Sequence, residues 1–159
     1  MLDIGCHQGE LLRSIKDRIG PSVGIDPLAT PFTDGNVRIT AEIFQEPMSF
    51  EDESFDAVVM LATLEHIRDK APLARECARL VSPGGRVIIT VPALVVDKVV
   101  DVLVRLRLAD GMSLDEHHGY RPEETSEVFA PPQFRLEHHR RFQLGCNHLF
   151  VFSRSGSGV

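Results

Sequence analysis

Two carboxylates set beside glycine turns are the first residues of this chain with the type and spacing to do chemistry. Asp3 opens the run Asp3-Ile4-Gly5-Cys6-His7-Gln8-Gly9-Glu10, and Asp26 closes the apolar run Val23-Gly24-Ile25, 21 residues after Gly5. Gly5 and Gly9 bracket a turn where the backbone can approach a ligand without a Cβ in the way, with N–H groups at the following helix start aimed at it. An acid at the tip of the second strand of a βαβ unit can take both hydroxyls of a ribose. The spacing is not the dinucleotide fingerprint, which needs a glycine two residues after the first and another three residues later. Histidines come next. His66 follows the apolar run 56–61, and His117-His118 precede a helix start at Arg121-Pro122-Glu123-Glu124. Each could act as a general base or shape a pocket; a local structural hydrogen bond is the alternative.

The elements that must position these residues read as alternating strands and helices. Leu2 to Ile4 is a short first strand. A helix follows from Glu10 to Ile19, with Leu11, Leu12, Ile15 and Ile19 on one stripe, and Gly20-Pro21 ends it. Val23 to Asp26 is the second strand, 27–35 a breaker-rich loop or weak helix, and Asn36 to Thr40 the third strand. Asp56 to Leu61 is nearly all apolar, as a parallel strand covered on both faces should be. Pro72 to Leu80 is a helix, Ser82-Pro83-Gly84-Gly85 a turn, and Arg86 to Val91 the fifth strand. From Ala93 to Asp110 the chain is amphipathic, with Val95, Val99, Val102, Leu103 and Leu106 on one face. Core packing of an inserted helix is one reading of it; a dimer contact or substrate lid is the other. Phe134 to Phe142 and Asn147 to Ser153 form a hairpin. Within it, His138 and His139 point to opposite faces, and with Arg135, Arg140 and Arg141 they read as a solvated edge.

In order and spacing these segments resemble the class I S-adenosylmethionine-dependent methyltransferases of the small-molecule type. Asp3-Ile4-Gly5-Cys6-x-x-Gly9 matches their first motif, Gly24-Ile25-Asp26 their ribose acid, Phe55-Asp56 the start of their fourth strand, and Pro83-Gly84-Gly85 the turn before their fifth. The resemblance implies an α/β, Rossmann-like doubly wound sheet of seven strands, mostly parallel, with a C-terminal antiparallel hairpin. It implies a methyltransferase that binds S-adenosylmethionine through Asp3, Gly5, Cys6, Gly9, Asp26 and Pro27, with Glu42 and Ile43 at the adenine and Leu61 and Ala62 near the reacting sulfur. His66, His117 and His118 become its candidate catalytic residues. Two positions depart from the pattern. His7 stands where the family has its middle glycine. The first strand is a stub, where relatives have more strand and upstream helices that close over the cofactor. Both departures motivate an alternative, a catalytically impaired domain acting as a cofactor-binding or partner module. Glu65-His66 resembles a metal-binding pair of one O-methyltransferase subgroup, but the third acid of that subgroup falls on Ala62, so no metal is expected.

Methyl transfer from a sulfonium is an in-line displacement with a good leaving group. Positioning supplies much of the rate, and a base is needed only where the acceptor loses its proton in the transition state. The acceptor is expected to be a small molecule. The 159 residues suit one domain over 1–154, with 93–120 as an inserted, acceptor-side segment and 155–159 as a flexible tail. A net charge of -6 argues against nonspecific nucleic-acid binding. No apolar run approaches the length of a membrane span, and no signal-peptide pattern precedes the first strand. Cys6, Cys77 and Cys146 make neither a disulfide framework nor a metal pattern, as suits a reducing cytoplasm.

Overall fold

A computed structural model describes residues 1–93 and 120–155. Its strands are β1 (Leu2–Ile4), β2 (Ser22–Ile25), β3 (Phe32–Asp34), β4 (Val37–Thr40), β5 (Phe55–Leu61), β6 (Val81–Pro92), β7 (Phe134–Phe142) and β8 (Asn147–Arg154). They form one sheet in the order β3-β4-β2-β1-β5-β6-β8-β7. The β4-β2-β1-β5-β6 stretch is parallel, and β3, β8 and β7 add antiparallel edges. The α-helices among the described residues are α1 (Glu10–Ile15), α2 (Lys70–Leu80) and α3 (Thr125–Val128).

Most of the expected elements are present, with corrections at their ends. The sheet has eight strands, not seven. The extra strand, β3, lies inside the stretch read as loop, and Gly35-Asn36 turns it back so that Asp34 pairs with Val37. Pro27 and Pro31 hid it: they break regular structure before Phe32 but leave the three-residue strand intact. The first helix stops being α-helical at Ile15 and continues as a 3-10 turn over Lys16–Arg18. The Asn36 amide reaches back to the carbonyls of Lys16 and Ile19, so the loop satisfies the helix end. The second helix begins at Lys70 rather than Pro72, because the Asp69 side chain accepts from the Ala71 N–H and caps it. The fifth expected strand is longer. Val81 already pairs with Phe55, and the Pro-Gly-Gly turn is a local bulge before Arg86 pairs with Ala57.

Alternation across the register decides which side chains meet the core. Val87, Ile89 and Val91 of β6 lie on the same face as Phe152, Phe150 and His148 of β8. All six are at most 4% exposed, beneath α2 and α3. Phe129 seals the cluster, with its ring centroid 5.3 Å from Phe134 and 5.4 Å from Phe152. A smaller cluster of Cys6, Leu12, Ala29, Val37 and Ile39 holds α1 against β4. A buried carboxylate locks α2 to the loop before β5. Glu76, 3% exposed, accepts from Arg79 at 2.6 Å and from the Met48 N–H at 2.7 Å.

Candidate functional site

Strand β1 pairs with β2 on one side and with β5 on the other, so the chain reverses direction across the sheet at β1. Crevices of this kind open beyond the carboxyl ends of parallel strands. Here a cavity of about 620 Å³ lies at the ends of β1, β2 and β5. Gly5, Asp26, Pro27, Glu42, Ile43, Leu61, Ala62 and His66, all singled out in the sequence, lie on its wall. His7, Leu28, Phe44, Thr63 and Ile67 line it too. The apolar members among these could not be picked out in the sequence, because they sit in loops without periodicity.

Three expected cofactor residues do not reach the wall. Asp3 and Cys6 are 2% and 5% exposed, behind the first turn. Gly9 takes φ 77, and a Cβ there would meet the Ile39 side chain at 2.7 Å, so it serves packing of the turn on β4. Gly5, at φ 76, is different: a Cβ would meet the Thr63 hydroxyl at 2.3 Å, so this glycine lets the β5 loop close over the turn. His117 and His118 lie outside the described residues, as does most of the amphipathic segment and with it any dimer contact it makes.

Asp26 ties two loops together. Oδ2 accepts from the His7 N–H at 2.9 Å and Oδ1 from the Leu28 N–H at 2.8 Å. A carboxylate has about four lone-pair sites, so each oxygen keeps capacity for a ligand hydroxyl. Glu10 accepts from the His7 ring at 2.9 Å and from the Gln8 N–H at 3.2 Å, and the His7 contact lowers its pKa. The N–H groups of His7 and Gln8, which would face a pyrophosphate in a dinucleotide fold, are thus occupied by carboxylates.

Burial is the largest influence on Asp3. It raises the carboxyl to about 7, with the charges of Asp26 and Glu10 acting in the same direction. The same burial, with Asp3 and Asp26 beside it, pushes the Cys6 thiol up to about 12, so Cys6 stays protonated and packs as an apolar residue. A site framed by Asp3, Glu10 and Asp26 favours a cationic ligand over a diphosphate. Asp26 presents acceptor oxygens at the cavity, and Ile43 and Phe44 present apolar surface to it.

On the far wall, Ala62 is a non-glycine residue at φ 51, held there by its N–H, which reaches both the carbonyl and the hydroxyl of Thr90 at 3.0 and 3.1 Å. The 3-10 turn Leu64–His66 follows, with Leu64 and Glu65 buried and His66 exposed. Lys70 braces its end, donating to the Ile67 carbonyl at 2.6 Å and lying 4.5 Å from the centroid of the buried Tyr120 ring. Among the described residues, no group of three or more His, Cys, Asp or Glu side chains is arranged to hold a metal ion. No described helix is long and apolar enough to cross a membrane.

A family profile described as a methyltransferase domain matches residues 2–89, more than half of the chain and every strand that lines the cavity. The chain belongs to this methyltransferase family. S-adenosylmethionine is the cofactor that goes with it. Among curated relatives, the chain is 35% identical over 96 residues to a ubiquinone biosynthesis O-methyltransferase of Stutzerimonas stutzeri, covering 55% of this chain and 41% of the relative. It is also 35% identical over 102 residues to one of Pseudomonas aeruginosa, covering 57% and 43%. The chain thus spans less than half the length of the curated relatives it matches. Solved structures agree on the fold. A chain from the complex of the Haloferax volcanii methyltransferase activator Trm112 with its methyltransferase superposes with a TM-score of 0.74 at 16% identity, over 99% of this chain and 82% of that one. A SAM-dependent methyltransferase of Methanosarcina mazei gives 0.67 at 18% identity, over 97% and 91%.

Proposed function

We propose that this domain transfers a methyl group from S-adenosylmethionine to an oxygen of a small-molecule acceptor. The observation that carries the reading is the arrangement of carboxylates around one cavity at the β1, β2 and β5 ends, with Asp26 keeping acceptor capacity on both oxygens. The O-methyltransferase relatives support an oxygen acceptor. Bound S-adenosylmethionine supplies an electrophilic methyl group on a sulfonium. Asp26 takes the ribose hydroxyls, while Glu42 and Ile43 hold the adenine edge and Phe44 covers the ring. Asp3, behind the turn, favours the positive end of the ligand as its carboxyl ionises near pH 7. Leu61 and Ala62 form the wall beside the transferring group and exclude water there. His66, at the rim, takes the proton of the acceptor hydroxyl. His117 and His118 remain candidates for the same role.

An impaired partner module would not need this set of unspent acceptors around an open cavity. A nicotinamide-binding domain would need the turn N–H groups that Asp26 and Glu10 occupy. Calorimetric titration with S-adenosylmethionine, S-adenosylhomocysteine and NAD separates the three. Micromolar binding of the first two, without NAD, is expected, followed by methyl transfer to a member of a panel of phenols and catechols. Binding of NAD alone, or binding of the first two without turnover on any hydroxyl acceptor, would overturn the reading.

A further inference from the structure

His7, like Ala62 across the cavity, is a wall residue whose backbone argues against its own identity, but unlike Ala62 it carries a functional side chain. It sits at φ 48, in the left-handed region that favours glycine, between Gly5 at φ 76 and Gly9 at φ 77. On backbone grounds a glycine would serve better. A residue kept in such a conformation at a cavity wall points to a use for its side chain. The backbone N–H is already spent on Asp26, so that use lies in the imidazole, which is largely exposed on a residue that lines the cavity.

Its partner fixes what the ring can offer. Glu10 has a lowered pKa, with the His7 contact as the largest cause, so its carboxylate is ionised and only accepts. The 2.9 Å contact from Nδ1 to Glu10 therefore requires the proton on Nδ1. In the neutral ring Nε2 is left as a hydrogen-bond acceptor, on a residue whose backbone N–H already joins Asp26. Resting on the cofactor reading above, we propose that His7 is a ligand-contacting residue whose imidazole, its tautomer set by Glu10, packs against the 5′-thioadenosine end of the bound cofactor.

The test uses two ligands that share this end. S-adenosylhomocysteine carries the amino-acid tail, and 5′-methylthioadenosine lacks it. His7→Ala removes the ring but keeps a Cβ, and Ala62 already holds the same backbone region at φ 51 in this chain. The variant should bind both ligands roughly threefold to tenfold more weakly, the range for one lost hydrogen bond, with its thermal midpoint within a degree or two of the parent. His7→Gln, which keeps an acceptor at similar reach, should recover part of the loss; Gln143 shows that this chain accommodates a left-handed glutamine at φ 49. Glu10→Ala should lose part of the same affinity, and the double variant no more than His7→Ala alone. Unchanged or tighter binding by His7→Ala overturns the proposal. A loss for S-adenosylhomocysteine with none for 5′-methylthioadenosine overturns the contact assigned here, and fully additive losses overturn the role given to Glu10. Failure of the parent protein to bind either compound overturns the cofactor reading itself, and this contact with it.

Discussion

Replacing Asp3 by Asn should stabilise the domain at high pH and leave it nearly unchanged at low pH. Asp3 is 2% exposed and its carboxyl is raised from 3.8 to about 7, first by burial and then by the charges of Asp26 and Glu10. Because the folded state holds the proton more tightly than the unfolded state, it binds more protons between about pH 4 and pH 7. Stability contributed by this group is therefore fully present below pH 4 and is lost as pH rises through 7. At about 1.4 kcal/mol for each pH unit, the ionised carboxylate costs the fold on the order of 4 kcal/mol at pH 8. Asn has the same shape and no charge, so Asp3→Asn should gain on the order of 2–4 kcal/mol over the parent at pH 8 and only about 1 kcal/mol at pH 4.5. Urea melts of both proteins at the two pH values measure this as a difference of differences, in which all other titrating groups cancel. A gain of equal size at both pH values, or a loss at pH 8, would refute the electrostatic argument. The parent should recover part of the cost when a cation binds. Its affinity for S-adenosylmethionine should rise between pH 6 and 8, and the rise should be smaller in Asp3→Asn.

Four further outcomes follow from the geometry. Asp26→Ala should weaken binding of S-adenosylhomocysteine by about 1–3 kcal/mol; calorimetry giving the parent dissociation constant would exclude the ribose role. His66→Ala should lower turnover on a hydroxyl acceptor about 10²-fold or more, with cofactor affinity and the thermal midpoint retained; a parent rate would leave His66 a rim residue without a role in proton transfer. Glu76→Ala should cost about 1–3 kcal/mol, because Arg79 loses one of two carboxylate partners at 2.6 Å and the Met48 N–H its acceptor, as a denaturant midpoint will read. His148 is buried against His139, 2.9 Å away, and its pKa is lowered by burial first and by His139 and Arg141 after it. Its neutral form is favoured in the fold, so the stability it contributes is lost as pH falls below about 6.5. His148→Gln should flatten that acid-side loss in melts between pH 7.5 and 5.5, and an unchanged slope would count against it.

The same residues show how much of the site was legible beforehand. Asp26, Gly5, Leu61, Ala62, Glu42, Ile43 and His66 could be placed because each stands at, or just after, the end of a strand with a clear apolar pattern. In a parallel sheet those ends converge on one crevice, so pattern alone fixes their neighbourhood. The terminal hairpin was legible for the same reason, two alternating runs around a short turn. Strand β3 was not: three residues are too few for a period, and its short hairpin with β4 is anchored by contacts distant in sequence, Phe32 lying over Gly9 and beside Arg13.

Sequence by itself determined the order of elements, the parallel core and the family, since these follow from hydrophobic period, turn chemistry and the spacing of Asp3, Gly5, Gly9 and Asp26. Only the tertiary structure decided which of those residues face the cavity. A one-residue step along a strand or turn moves a side chain from wall to core, so Asp3 and Cys6 went behind the turn while His7 came to the front. It also decided that the turn N–H groups belong to Asp26 and Glu10, because a carboxylate finds its donor through the chain's path in space, and the sequence places Asp26 19 residues from His7.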